Sequence, residues 1–363
     1  MKYIDEYRNQ ELIKVVSDKI HDITTRKISI MEICGGQTHT ILKYNLEEFL
    51  PDKITLIHGP GCPVCVTPVD FIDKAIELAM RKDVLLTSYG DMLRVPGSTK
   101  DLLSARANGA DIRMVYSPLD SVIIAKDNPE KKVIFFAVGF ETTAPANARA
   151  VLEAEKFNLN NYFMICSHML VPPAIETLLS NAQIKLHGIL AAGHVCTVMG
   201  LNEYEILSEK YHIPIVATGF EPLDIMNATY MTVKQIEEKR CEVENQYSRT
   251  VTVEGNTKAK EIIYKVFINE DREWRGIGIM KNSGLRLRDE YKKYDALMNF
   301  DFKINEKIDK GICIAGEILQ GLKKPDICSS FGNNCKPEHP LGAPMVSSEG
   351  ACAAYYRYRR IDN

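Results

Sequence analysis

Apolar residues recur along the chain first as a helical stripe and then as short runs. Ile4, Tyr7, Leu12, Val15, Val16, Ile20 and Ile23 fall mostly at helical spacing, which predicts an amphipathic lead helix over residues 3–23, packed on the first domain. Four runs follow, Ile28–Ile33, Ile54–Ile57, Val84–Thr87 and Ile112–Tyr116, separated by helix-like stretches such as Asp70–Lys82 and Lys100–Ala107. That alternation predicts an α/β unit with a parallel sheet. The polar break Asp127-Asn128-Pro129-Glu130-Lys131-Lys132 precedes a second series, Val133–Val138, Tyr162–Cys166, Gly188–Ala192 and Ile213–Ala217. Two of these runs end alike, in Val138-Gly139-Phe140-Glu141 and Thr218-Gly219-Phe220-Glu221, with a glycine where the backbone must turn tightly or approach a ligand. From Pro222 to Phe267 the sequence turns helical and charged, and beyond Gly276 it is rich in Gly, Pro and Cys with little periodicity. The expected architecture is α/β: two sheet domains with a cleft between them, over residues 1–126 and 127–235, and a helical, cluster-bearing C-terminal region over 236–363.

Composition narrows the function classes. A length of 363 residues exceeds the size of a single core, and 45% hydrophobic with 26% charged residues is ordinary globular composition. Forty-five Lys and Arg against 48 Asp and Glu leave −3, so no bulk field favours nucleic acid or an anionic membrane. The charged N-terminus lacks the apolar core of a signal peptide, and no run of about 18 apolar residues occurs, so a cytoplasmic location is expected. There thiols stay reduced, and ten cysteines read as ligands or redox groups rather than structural disulfides.

Cys313, Cys328, Cys335 and Cys352 are separated by 14, 6 and 16 residues and lie among turn formers. Four thiolates there suit a [4Fe–4S] cluster or tetrahedral zinc, and the lack of a close C-x₂₋₄-C pair favours the cluster. Gly59-Pro60-Gly61-Cys62-Pro63-Val64-Cys65 follows an apolar run and precedes a helix expected near Thr67. A helix N-terminus raises the thiolate fraction, so Cys62 and Cys65 read as a redox dithiol, with half of a zinc site as the alternative. Cys34 opens Cys34-Gly35-Gly36-Gln37-Thr38-His39, where two glycines permit close approach of a ligand and His39 can move a proton or bind metal. Asp91 and Arg94, Glu141, Thr142 and Thr143, and His194 all follow apolar runs, where open α/β sheets place their sites; helix capping is the competing reading for each. Cys166, Cys196 and Cys241 have no partner at ligand spacing and read as packing residues.

Taken in order, Cys34-Gly35-Gly36, Gly59 through Cys65, Gly139-Phe140-Glu141-Thr142-Thr143, Gly193-His194-Val195, the 14-6-16 cysteine spacing and Met345 through Tyr356 resemble the HypD family of [NiFe]-hydrogenase maturation factors over nearly the whole chain. The resemblance implies a scaffold for assembling the Fe(CN)₂(CO) group as transient cargo, working with the small chaperone HypC and the cyanide donor HypE. It implies that Cys34 binds the iron, that Cys62 and Cys65 form the redox dithiol, and that the last four cysteines hold a [4Fe–4S] cluster. Such a protein is a maturation scaffold with redox chemistry rather than a free-standing turnover enzyme. The alternative from the residues alone is a general iron–sulfur thiol-disulfide oxidoreductase. Two positions depart from the family pattern: Gln37 replaces a histidine, and Cys196 stands where serine is expected.

Overall fold

The computed structural model describes residues 5–303 and 312–359. Among the described residues, eleven strands alternate with helices: β1 (Ile28–Glu32), β2 (Ile54–His58), β3 (Val84–Ser88), β4 (Ile112–Met114), β5 (Lys132–Gly139), β6 (Tyr162–Met169), β7 (Gly188–Ala192), β8 (Ile215–Thr218), β9 (Val243–Asn245), β10 (Phe267–Trp274) and β11 (Gly278–Leu287). They form two sheets, ordered β2-β1-β7-β8-β9 and β10-β11-β6-β5-β3-β4. The first is parallel throughout, and the second is parallel except for the β10–β11 hairpin, which joins β6 antiparallel.

The α/β expectation is met, but each sheet draws strands from both sides of the polar break at 127–132. The first two strands share a sheet with β7 and β8, β1 pairing with β7, while β3 and β4 join β5 and β6. The boundaries drawn from the sequence at 126 and 235 therefore do not coincide with the sheets.

Alternation explains the layering. In β5, Phe135 and Ala137 enter one apolar cluster while Ile134, Phe136 and Val138 enter the cluster on the opposite face, so the strand is buried on both sides. In β1, Ile28 and Ile30 pack beneath helices Gln10–Ile23 and Pro222–Glu237, and Met31 faces the other way, toward Cys62, Cys65 and Trp274.

The lead helix begins later than the stripe predicts. A 3₁₀ turn spans Asp5–Arg8, and the Asn9 side chain then caps Gln10–Ile23 by accepting from the Glu11 and Leu12 amides at 2.9 and 3.2 Å. Ile13, Val16, Ser17 and Ile20 are its buried residues, whereas Leu12 and Val15 face solvent; Ile4 lies outside the described residues. The hairpin of β10 and β11 has no counterpart in the sequence reading, which placed the end of a charged helical stretch there.

Candidate functional site

In open α/β sheets, ligands bind beyond the carboxyl ends of strands where the strand order reverses. In the first sheet this point lies between β1 and β7, whose ends lead into Cys34 and into Gly193-His194. In the second it lies between β3 and β5, which lead into Tyr89-Gly90-Asp91 and Phe140-Glu141-Thr142-Thr143. Four of the motifs noted in the sequence thus flank two switch points.

Cys34 is the N-cap of helix Gly35–Lys43. Its amide donates to Glu32 Oε2 at 2.9 Å, and its carbonyl accepts from the Gln37 and Thr38 amides at 2.9 and 3.1 Å. Glu32 is fully buried and also accepts from His58 Nδ1 at 2.7 Å and from the Thr38 hydroxyl, so one carboxylate joins β1, β2 and the helix. Burial pushes the Cys34 thiol up to about 12, with the Glu349 and Glu32 carboxylates adding to the rise and the Gly36 and Gln37 amides opposing it. Such a thiol is a poor free nucleophile near neutrality. A cation that displaces the proton makes it a ligand instead.

Gln37 is fully buried and donates through Nε2 to the Ala191 and Thr218 carbonyls at 3.1 and 3.4 Å, tying the helix to the ends of β7 and β8. His39 points away toward the C-terminal segment: Nδ1 lies 3.4 Å from the Ser348 carbonyl and Nε2 3.2 Å from the Tyr358 hydroxyl. Burial lowers its pKa. On the other side of Cys34, the Phe220 ring lies over Gly36 and carries the His194 ring at 4.0 Å between centroids.

The dithiol sits directly against Cys34. A Cβ on Gly61 would fall on the Cys34 backbone, and the Gly35 amide donates to the Gly61 carbonyl at 2.9 Å. Cys62 then caps the short helix Pro63–Val66, with its sulfur accepting from the Cys65 amide at 3.3 Å. The two cysteines are joined as a disulfide, Cα atoms 5.3 Å apart, within the apolar cluster against which Cys34 packs.

The segment Ala343–Glu349 ties these parts together. Arg94 pairs with Asp91 at 3.2 Å and donates to the Val346 carbonyl at 2.9 Å, Ser348 meets His39, and the backbone and Cβ of Glu349 lie over Gly35. Helix Ala351–Tyr358, which carries Cys352, continues from it. The four C-terminal cysteines come near one another: Cys352 is pushed up by burial and then by Cys313, Cys335 and Cys328. Gly342 has no Cβ where the Cys313 sulfur lies, and the Leu341 amide donates to the Cys335 sulfur at 3.4 Å. Burial and the neighbouring thiols raise Cys352 and Cys313, and such thiols ionise together only beside a cationic group, which an iron–sulfur cluster would supply. Among the described residues, no three ligand side chains stand close enough to hold a single metal ion.

At the second switch point, Glu141 is buried and accepts from the Val171 amide at 2.8 Å, capping helix Val171–Ser180, while Oε2 has no partner. Burial pushes it up to about 8. Thr142 is exposed. Thr143 lies 3.3 Å from Nε2 of buried His168, which also takes a 2.6 Å hydrogen bond from Asn147, and a Cβ on Gly139 would overlap the Thr143 hydroxyl. Cys166 and Cys196 are buried, as packing residues should be; Cys241 is exposed and donates to the His212 carbonyl at 3.0 Å. Glu32, His58 and Glu349 had no place among the expected site residues. A glutamate ending an apolar run was the available signal for the first.

These features define an α/β protein of two interleaved sheets that gathers a lone thiol, a disulfide and a four-cysteine group around one C-terminal segment. A family model described as HypD, hydrogenase formation hypA family, matches residues 10–359. The chain is 48% identical to hydrogenase maturation factor HypD2 of Bradyrhizobium diazoefficiens, covering 99% of this chain and 98% of that one. It is 44% identical to HypD of Azotobacter vinelandii, over 99% and 97% of the two chains, and 41% identical to HypD of Escherichia coli, over the full length of both. The chain belongs to the HypD family of hydrogenase maturation factors. No helix among the described residues is long and apolar enough to cross a membrane.

Proposed function

We propose that this protein is the scaffold on which the Fe(CN)₂(CO) group of [NiFe]-hydrogenase is assembled and passed on, with Cys34 as the iron ligand. The observation that carries this reading is the seat of the Cys62–Cys65 loop on the Cys34 backbone through Gly61, with a disulfide next to a thiol whose pKa burial raises and which a metal would deprotonate. A soft thiolate suits low-spin iron with strong-field ligands.

Cys313, Cys328, Cys335 and Cys352 would hold a [4Fe–4S] cluster, which supplies electrons when bound. Opening the Cys62–Cys65 disulfide takes two electrons and two protons, and yields the thiols that flank the iron ligand. The contacts of Ala343–Glu349 with His39, Arg94 and Gly35 couple the cluster region mechanically to the surroundings of Cys34, since Cys352 lies in the first turn of the helix that follows. His194 and Phe220 line the mouth beside Cys34. Asp91, Glu141 and Thr143 are positioning residues: Asp91 holds Arg94, Glu141 caps a helix, and Thr143 holds His168. Thr142, exposed beside them, is open to a partner. A HypC-type chaperone would share the iron through its own thiolate, and a HypE-type protein would deliver cyanide.

Infrared spectroscopy of the protein copurified anaerobically with a HypC-type chaperone tests this. Bands of bound CN⁻ and CO are expected in the wild-type complex and lost in Cys34→Ala. Wild-type complex without such bands, or bands that persist in Cys34→Ala, contradicts the assignment.

A further inference from the structure

Glu141, two residues beyond β5, lines a pocket in whose lining, among the described residues, no cysteine takes part. Leu170, Ile263 and Leu285 wall its buried end, and Glu203, Tyr264 and Asn269 stand exposed at its mouth. Helices Asn202–Tyr211 and Thr257–Val266 and both strands of the β10–β11 hairpin contribute to it, so it forms only once the hairpin has joined β6. The room inside suits about three waters, or about five heavy atoms of a ligand.

The polar end of this pocket is incompletely satisfied. Glu141 is 1% exposed; one of its oxygens accepts from the Val171 amide at 2.8 Å, and Oε2 meets no donor among the described residues. A buried acceptor left open is costly, and a buried carboxylate without a cation is costlier still. Burial accordingly keeps this carboxyl protonated up to about pH 8. Among the described residues the lining holds two carboxyls, Glu141 and Glu203, and no Lys, Arg or His. The nearby Lys260 ammonium is turned to the Met199 and Glu254 carbonyls, at 3.4 and 2.6 Å. Two carboxyls among apolar walls fall short of the roughly six oxygens that a hard divalent cation takes. An ammonium on an alkyl stem asks for less: one acceptor for the head, and apolar surface for the methylenes.

We propose that this pocket binds a primary alkylammonium group about as long as a lysine side chain, with its stem against Leu170, Ile263 and Leu285 and its head on Glu141 Oε2. Glu203 attracts the charge at the mouth. On binding, the ammonium takes the place of the proton on Glu141, which leaves to solvent. A free small amine and a lysine of a partner protein both carry this group. Neither the iron at Cys34 nor the cluster enters the inference, so it stands or falls apart from them.

The test is a ligand-observed nuclear magnetic resonance titration of the full-length protein, near pH 8, with n-butylammonium and with n-butanol as its neutral counterpart. Wild type should bind n-butylammonium saturably and about tenfold more tightly than n-butanol. E141Q keeps the acceptor for Val171 but sets an amide donor against the ammonium, and should lose about tenfold in affinity. E203Q, at the exposed mouth, should lose about threefold, and it stays readable if E141Q does not fold. Blocked lysine, Nα-acetyl-lysine N-methylamide, separates the two sources: tighter binding than n-butylammonium assigns the group to a partner's lysine, weaker binding to a free amine. Absence of saturable binding by wild type, or equal affinity for n-butanol, overturns the proposal. Unchanged affinity in folded E141Q does the same, as does unchanged affinity in E203Q where E141Q fails to fold.

Discussion

Glu141 is a carboxyl with one oxygen on the Val171 amide and the other unpartnered in a buried site. Burial holds its pKa at about 8, against 4.5 ordinarily. Between those values the folded protein keeps a proton that the unfolded chain has released, so stability falls as pH rises through this window and the loss is complete above pH 8. The ceiling is about 5 kcal/mol, less whatever relaxation and water recover. Glu141→Gln keeps the acceptor for Val171 and cannot ionise. Its Tm should exceed that of wild type at pH 8.5 and converge toward it near pH 5; parallel Tm curves would contradict this account. The cysteines stood out in sequence by their spacing, and the structure brings Cys62 and Cys65 against the Cys34 loop and the last four near one another. Residue roles were poorly legible where a side chain's direction decides them. His39 reads as a neighbour of Cys34, yet both ring nitrogens are taken by Ser348 and Tyr358. Gln37 reads as a lost acid–base group, yet it is a buried tie between a helix and two strand ends.

At the scale of elements, the loop Gly59–Gly61 shows why glycine is required where backbone meets backbone. A Cβ on Gly61 would meet the main chain of Ile33 and Cys34, and the Cys34 amide is itself pinned by Glu32. Gly61→Ala should cost about 1–3 kcal/mol as an overpacked core position. It should also raise the reactivity of Cys34 toward alkylating agents by separating it from the dithiol loop, which timed alkylation with mass spectrometry can read; unchanged stability and labelling would show that the two loops are not tightly seated. Most parallel strands were legible because each is an apolar run of about the right length. The β10–β11 hairpin was not. Phe267–Trp274 reads Phe-Ile-Asn-Glu-Asp-Arg-Glu-Trp, a bulge between Glu270 and Arg272 breaks its alternation, and one buried position is filled by Arg272, which donates to the Leu285 carbonyl at 2.9 Å and lies 4.6 Å over the Phe71 ring. A charged residue buried by pairing and stacking looks like a solvated one in sequence.

In the whole molecule, two sheets interleave along the chain, so that β1 and β7 meet at one switch point and β3 and β5 at the other. Sequence order carried no cue to this, because strands buried on both faces are equally apolar and any would pair with any. The consequence is functional: motifs more than a hundred residues apart come to the same strand ends, and the C-terminal segment links Cys34, Asp91 through Arg94, and the helix of Cys352. The central claim is that Cys34 carries an iron separate from a cluster held by the last four cysteines. Mössbauer spectroscopy of ⁵⁷Fe-enriched protein, copurified anaerobically with a HypC-type chaperone, tests it most directly. Wild type should show a [4Fe–4S] signal together with a low-spin ferrous one; Cys34→Ala should lose the low-spin signal and keep the cluster. A wild-type spectrum without the cluster, or a Cys34→Ala spectrum that retains the low-spin iron, would contradict the claim.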